Sequence, residues 1–396
     1  MIRGNIKLNN PERFAKPHEI SREKLIKAAE KATDKLEALA KKYGVAFPAT
    51  RSIEYRYQCA ENKNWESGMY TGCYWLAYEI TGNKFFKEEA EKHLPTYAER
   101  FEAKTGLMGH DVGFPYMPSC VAAYKVTGNE EARNLALEVA KFFYGNAYTT
   151  VGPYNFIKRG RKSGDEYRTM MDTLMNATLL LWAGKELGDE NLTRAGLDQS
   201  ITTEALLIRE DGSSYHHYVF DAEKCNPVKG VTLQGHSDDS CWSRGHSWGV
   251  YGFPIAYSYT GADFLLSLHK DVTYFMLNHL PEDNIPYWDY DFTSGDESRD
   301  ASAGLISACG MLEMAKLLPD TAEQKSVFES ASAQIVESVI DRCTTPLIVK
   351  NYDGLIHHVT HAKPQGQGID ECAVYGDYFY LEALARYLKP DFTRYW

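Results

Sequence analysis

Two kinds of apolar pattern alternate along the chain. In segment 21–43, Leu25, Ala28, Ala32, Leu36 and Leu39 form one stripe among Lys and Glu, and Gly44 closes the run. That is an amphipathic helix with one face to bury. Segments 84–101, 130–144, 190–207, 262–280 and 321–340 read the same way; in 262–280, Leu265, Leu268, Val272 and Met276 share a face. Segments 68–80, 112–126, 171–187, 245–259, 301–317 and 375–387 are instead apolar nearly all round, the pattern of buried helices. The two kinds alternate strictly, which predicts twelve helices in six pairs.

The joints repeat too. Thr81-Gly82-Asn83, Thr127-Gly128-Asn129, Leu187-Gly188-Asp189 and Thr260-Gly261-Ala262 each separate a buried segment from an amphipathic one. A helix-ending Gly followed by a polar cap makes a tight αα turn, and short turns place neighbours antiparallel. All six buried helices then run parallel inside, with the amphipathic six outside. Closing that array gives an all-α (α/α)6 toroid, one catalytic domain over residues 1–396. An open helical solenoid is the alternative. Irregular repeats, and a last buried helix near the C-terminus that could pair with the first outer one, favour closure. The long connections, 145–169 and 210–243, precede buried helices and sit where loops would build a site over their N-termini. Within the second, 211–214 followed by 215–220 reads as a short hairpin.

Charge and composition narrow the function. The net charge is −11 over 396 residues, which argues against nucleic acid and anionic membrane surfaces as partners. No stretch approaches ~20 uninterrupted apolar residues, and the N-terminus MIRGNIKLNNPERF carries no apolar signal region. Eight cysteines without a CxxC read as reduced core thiols of a cytoplasmic protein. The histidines offer no HExxH or other tight ligand spacing, so no metal is expected. No phosphate loop or nucleophile elbow appears.

Polar residues cluster where the buried helices begin: Trp65 and Glu66, His110 and Asp111, Asp172, Arg244, His246 and Trp248, Ser298 and Asp300, Tyr375 and Asp377. In a toroid they meet at one mouth. Asp300 and Asp377 read as helix caps. Asp172 follows Met170-Met171 inside an apolar run. Burial there raises a carboxyl's pKa and suits a proton donor, although the helix N-terminus favours ionisation. Asp111 in HDVGF is placed similarly, and two carboxyls at one mouth suggest chemistry on a glycoside. The segment QGHSDDSCWSRGHSWGVYGF adds Gln234, Arg244 and Trp248. Arg244 could hold a carboxylate bidentately and Trp248 could stack on a sugar. The structural alternative pairs Arg244 with Asp238 or Asp239 and leaves Trp248 in the core.

These pieces together resemble glycoside hydrolase family 88, the unsaturated glucuronyl hydrolases. The resemblance runs from about Asn64 to Arg386 and is carried by Trp65 with SGMYTGCYWLAYEITG, by HDVGF, MDTLMNATLLLWAG around Asp172, DGSSYHHYVFD, the Gln234 segment and YGDYFYLEALAR. It implies an (α/α)6 toroid and a substrate ending in a Δ4,5-unsaturated uronic acid, hydrated at its enol ether. It further implies that Asp172 protonates C4 and activates water, and that Asp111 positions Asp172 and the sugar hydroxyls. His216, Gln234 and Arg244 would bind substrate, and Trp65 and Trp248 would stack. No metal or organic cofactor is implied. An oxocarbenium-like cation would be stabilised by nearby carboxylate and aromatic faces.

Two stretches depart from the family pattern. NFIKRGRKSGDEYRTM, before Asp172, is basic and lacks Trp, which leaves the leaving-side sugar open; Lys158, Arg159, Arg161 and Lys162 read as a solvated loop, the alternative being contacts to a sulfated substrate. HHVTHAK keeps Lys363 as a candidate substrate contact but has His358 and His361 where family members that accept sulfated fragments tend to show Ser, which weighs against sulfated substrates. The expected substrates are hyaluronan or chondroitin disaccharides, bound by a monomer or homodimer. The alternatives are an unsaturated rhamnogalacturonyl hydrolase acting on pectin fragments, a sugar 2-epimerase and a non-catalytic helical scaffold.

Overall fold

A computed structural model describes residues 4–159, 166–221, 224, 226–347 and 352–396. Six outer helices, Arg22–Tyr43, Lys84–Glu102, Glu130–Ala147, Glu190–Leu206, Phe264–Asn278 and Glu323–Arg342, alternate in sequence with six inner ones. The first inner helix is Ser67–Thr81. The second is assembled from Gly113–Tyr116, a π-helical turn Met117–Val121, and Ala122–Thr127. The third comprises Thr173–Asn176 and Thr178–Leu187. The last three are Ser243–Thr260, Ala301–Leu317 and Val374–Leu388. Each inner helix packs on the next, and the sixth packs on both the first inner and the first outer helix. The array is therefore a closed (α/α)6 toroid and not an open solenoid.

The four glycine joints behave as their sequence requires. Gly82, Gly128, Gly188 and Gly261 all adopt left-handed φ between 65° and 72°. The Asn83, Asn129 and Asp189 side chains then accept the first free amides of the next outer helix. Closure also needs backbones to approach closely at the mouth. A Cβ on Gly113 would lie 2.4 Å from the Asn176 carbonyl, so only glycine lets the second and third inner helices meet there.

The ring axis is filled from below. Trp396, fully buried, stacks on Phe379 (centroids 6.0 Å, 9°) and meets Phe114 edge-on. Lys125 Nζ holds this end of the chain by donating to the Arg394 and Tyr395 carbonyls, each at 3.0 Å.

Small antiparallel sheets decorate the mouth. The expected hairpin in 211–220 forms differently: strand His217–Asp221 is the middle of a three-stranded sheet with Glu166–Met170 and Asn226–Val231, while 211–214 makes the turn bridged by Ile208 and Ser214. The local HHYVFD alternation could not reveal a partner about fifty residues earlier. Cys73, Cys120, Cys241, Cys309, Cys343 and Cys372 are buried free thiols and Cys59 is exposed; Cys225 lies outside the described residues. Among the described residues, no helix is long and apolar enough to cross a membrane.

Candidate active site

The N-terminal ends of the inner helices surround a cleft of about 250 Å³. Trp65, Asp111, Asp172, Gln234, Arg244 and Trp248 all line it. They come from four of the six hairpins, and ring closure alone brings them together.

Asp172 stands at the N-cap position of the short helix Thr173–Asn176 without capping it through its side chain, and its Oδ2 has no hydrogen-bond partner among the described residues. Burial pushes its carboxyl up to about 6, with the Asp111 charge adding to the rise. Asp111 is likewise raised to about 6 by burial, against the pull of Arg159 and of a hydrogen bond from Asn176. Asn176 fixes the two acids relative to each other. Its Nδ2 donates to Asp111 Oδ1 (3.3 Å) and to the Asp172 carbonyl (3.1 Å), while its Oδ1 accepts from the Phe114 amide (2.9 Å). Asn176 lies four residues after Asp172, on the same helical face, which is the one sequence signal that could have found it.

His216 sits behind Asp172 and does not line the cleft. Its Nδ1 accepts from the Leu233 amide (3.4 Å), which assigns the ring proton to Nε2, 3.7 Å from Asp172 Oδ2. Burial drives His216 well below its ordinary pKa, so it faces Asp172 as a neutral N–H. His110, pushed down to about 4 by burial, lies 3.3 Å from Asp111 Oδ1.

Arg244 is buried and paired with Asp300, not with Asp238 or Asp239. Asp300 is therefore an ion-pair partner, and its side chain caps no helix amide. The guanidinium also donates to the Thr360 and His361 carbonyls (2.7 and 2.6 Å) and lies between the Trp242 and Tyr375 rings. Three of its five N–H groups are thereby used, leaving Nε–H and one on Nη2. Asp377 is not a cap either: it accepts from Tyr57 and from the Leu355 and Ile356 amides, away from the cleft. Trp248 is fully buried against Phe114 and Phe379 and forms the cleft floor. Trp65 stacks on Tyr375 at 5.4 Å. Gln234 Nε2 is tied to the His361 carbonyl at 2.8 Å.

Lys363 does not line the cleft; its ammonium pairs with Glu297, 5.3 Å from the Trp288 ring centre. Arg159, read above as part of a solvated loop, instead lines the cleft, while Arg161 and Lys162 lie outside the described residues. His110, Trp242, His217 and His361 also line the walls. Of these, His110 was legible as a mouth residue and Trp242 lay in the Gln234 segment; His217 opens the strand His217–Asp221, whose partner lies far off in sequence, and His361 sits on a loop whose course no periodicity fixes. Among the described residues, no group of three or more His, Cys, Asp or Glu is placed to share a metal ion.

Residues 38–280 match Glycosyl Hydrolase Family 88. The chain is 37% identical over 393 residues to the unsaturated chondroitin disaccharide hydrolase of Streptococcus pneumoniae (strain ATCC BAA-255 / R6), covering 98% of both. Its fold superposes with a TM-score of 0.94 on the crystal structure of unsaturated glucuronyl hydrolase from Streptococcus agalactiae, at 33% identity and full coverage of both chains. An aspartate-to-asparagine mutant of that enzyme complexed with dGlcA-GalNAc6S matches at 0.88 and 32% identity, again over both full chains.

Proposed function

The chain belongs to glycosyl hydrolase family 88, and we infer that it removes the Δ4,5-unsaturated uronic acid from the non-reducing end of lyase-generated chondroitin or hyaluronan disaccharides. The observation that carries this reading is the pair Asp111 and Asp172 at one blind cleft, both raised to about 6 and latched by Asn176. A carboxyl with that pKa keeps its proton in mildly acidic solution and still accepts one back, as a single acid–base group requires.

The chemistry follows from an enol ether's reactivity. The Asp172 carboxyl gives its proton to C4, and the C4=C5 electron pair forms the new C–H bond. The cation left at C5 is shared with the ring oxygen. Water adds to C5 and returns a proton to the Asp172 carboxylate. The resulting hemiketal opens by breaking the C5–O5 bond, which leaves a ketone at C5 and a hemiacetal at C1. Collapse of that hemiacetal frees the neighbouring sugar and an aldehyde. The His216 N–H facing Asp172 steadies the carboxylate formed after the first step. Asp111 holds sugar hydroxyls, Arg244 and Gln234 bind the uronate, and Trp65 and the Trp248 floor pack on its ring. The single closed ring of helices supports reading residues 1–396 as one catalytic domain. The buried free thiols support a cytoplasmic setting.

The test is to follow ultraviolet absorbance of the conjugated enol ether in unsaturated chondroitin, hyaluronan and rhamnogalacturonan disaccharides. Absorbance should fall with the first two, and Asp172→Asn should abolish the change. Full activity in that variant sinks the assignment; sole activity on rhamnogalacturonan moves it to pectin fragments.

A further inference from the structure

Tyr375 stands in the first turn of the sixth inner helix, at the mouth, yet it is fully buried and does not line the cleft. It is out of reach of substrate. Three residues that do line the cleft nevertheless rest on it. Trp65 stacks on its ring at 5.4 Å and 24°. The Arg244 guanidinium lies 4.7 Å from the ring centre. The hydroxyl shares a hydrogen bond with His361 Nδ1 at 3.2 Å.

The contacts continue to either side. Trp65 is held from a second direction by Phe114, with ring centres 5.0 Å apart. Arg244 is held from a second direction by Trp242, 4.6 Å from its ring centre. Trp242 packs in turn on His216 at 4.3 Å, and His216 Nε2 lies 3.7 Å from Asp172 Oδ2. One packed column, Trp65–Tyr375–Arg244–Trp242–His216, thus ends at the proton donor. Within it, Asp300 and the Thr360 and His361 carbonyls hold the guanidinium in its own plane, while the flanking rings fix its tilt. A close-packed interior gives such a column little slack. We propose that Tyr375 is a positioning residue for the unsaturated sugar: its ring sets the tilt of the Arg244 fork and of the Trp65 face together. The uronate carboxylate on C5 meets the fork, and the sugar ring meets Trp65. Two contacts held by one buried ring fix both the place and the orientation of the double bond, and so present C4 to Asp172. This rests on the substrate reading above and deepens it.

The experiment follows loss of enol-ether absorbance from unsaturated chondroitin and hyaluronan disaccharides in wild type, Tyr375→Leu, Tyr375→Phe, Trp65→Ala and the Trp65→Ala/Tyr375→Leu double variant. Losing one cation–π contact and one aromatic stack corresponds to roughly 10- to 100-fold. Tyr375→Leu should lower kcat/KM by that order, with a rise in KM. Misfolded protein lowers the apparent kcat and leaves KM alone, so the rise in KM separates positioning from packing. Tyr375→Phe keeps the ring and loses only the hydrogen bond with His361, so it should recover most of the loss. In the Trp65→Ala background Tyr375→Leu should cost less than in wild type, because the stack is already gone. An unchanged KM in Tyr375→Leu, a phenylalanine variant as poor as the leucine one, or strictly additive losses in the double variant overturn the proposal. Should Tyr375→Leu not fold, Tyr375→Met carries the same expectations. Active wild type with unmoved variants overturns the proposal alone; a wild-type protein that consumes neither disaccharide overturns the substrate reading itself, and the proposal with it.

Discussion

Two arcs of the same ring treat buried carboxyls in opposite ways. The second and third inner helices are interrupted, by the π-helical turn Met117–Val121 and at Ala177, and they carry Asp111 and Asp172 at their starts. The fifth and sixth run unbroken and carry Asp300 and Asp377. Burial raises Asp172 to about 6 and Asp377 to about 7, so displacement of the pKa does not separate them. Free oxygens do. Asp377 accepts from a tyrosine and two amides, and Asp300 is locked to Arg244, whereas the Asp172 carboxyl lines the cleft, with Oδ2 turned inward toward His216 and part of the group still exposed. A shifted carboxyl marks a reactive site only when an oxygen is left over for substrate. The irregular helices fit this division, because π-turns are tolerated where function needs backbone re-aimed.

The contrast breaks most visibly through Asp172→Asn. Loss of a general acid corresponds to about 10²–10⁴ in kcat, and the variant should lose at least that much enol-ether turnover. The matched substitution Asp377→Asn should leave turnover far less affected and lower the unfolding temperature instead. Comparable activity loss in both variants would erase the distinction between the arcs.

Next in size is Asp300→Ala, which strands Arg244 without its partner in the interior. A buried charge left alone costs about 3–5 kcal/mol, so chemical denaturation should show a drop of that order. Asn176→Ala tests the latch. A small misplacement of reacting groups costs about 10², and kcat should fall by roughly that factor while the fold survives. An unchanged kcat would mean that Asn176 does not set the distance between the acids.

Acidity gives the smallest effects. Turnover should fall as pH rises through about 6, where Asp172 loses its proton. Stability follows the same group. Its folded pKa, about 6, exceeds the ordinary 3.8, so the folded state holds the extra proton between those values and loses stability as pH rises through them. Asp172→Asn removes that loss. Urea unfolding at pH 7.5 should find the variant more stable than wild type by on the order of 1–3 kcal/mol, with the gain vanishing below about pH 4. Equal stability at both pH values would show that Asp172 is not desolvated.

Most of the ring was legible in the chain because each inner helix lacks a polar face and each joint carries its own glycine. Boundaries differ by at most three residues, as frayed ends do. The interruption of the second inner helix was signalled by Pro115 and Pro118 in FPYMPS, but the apolar pattern runs straight across it, and the break at Ala177 carries no such signal. At the mouth, Asp172 stood out because its neighbours are apolar. The Asp300–Arg244 pair did not, since 56 residues separate its members and a helix-start Asp resembles a cap. Arg159 looked like a loop charge because nothing local shows which way a loop turns.

Beneath the floor, Trp396 and Phe379 stop the axis. Substrate and both products must therefore share a single doorway. A polymer cannot thread through the ring, only a chain terminus fits, and each visit removes one sugar. Product that lingers blocks the next arrival, so the released sugar should act as a competitive inhibitor, and turnover should depend on how quickly the doorway clears.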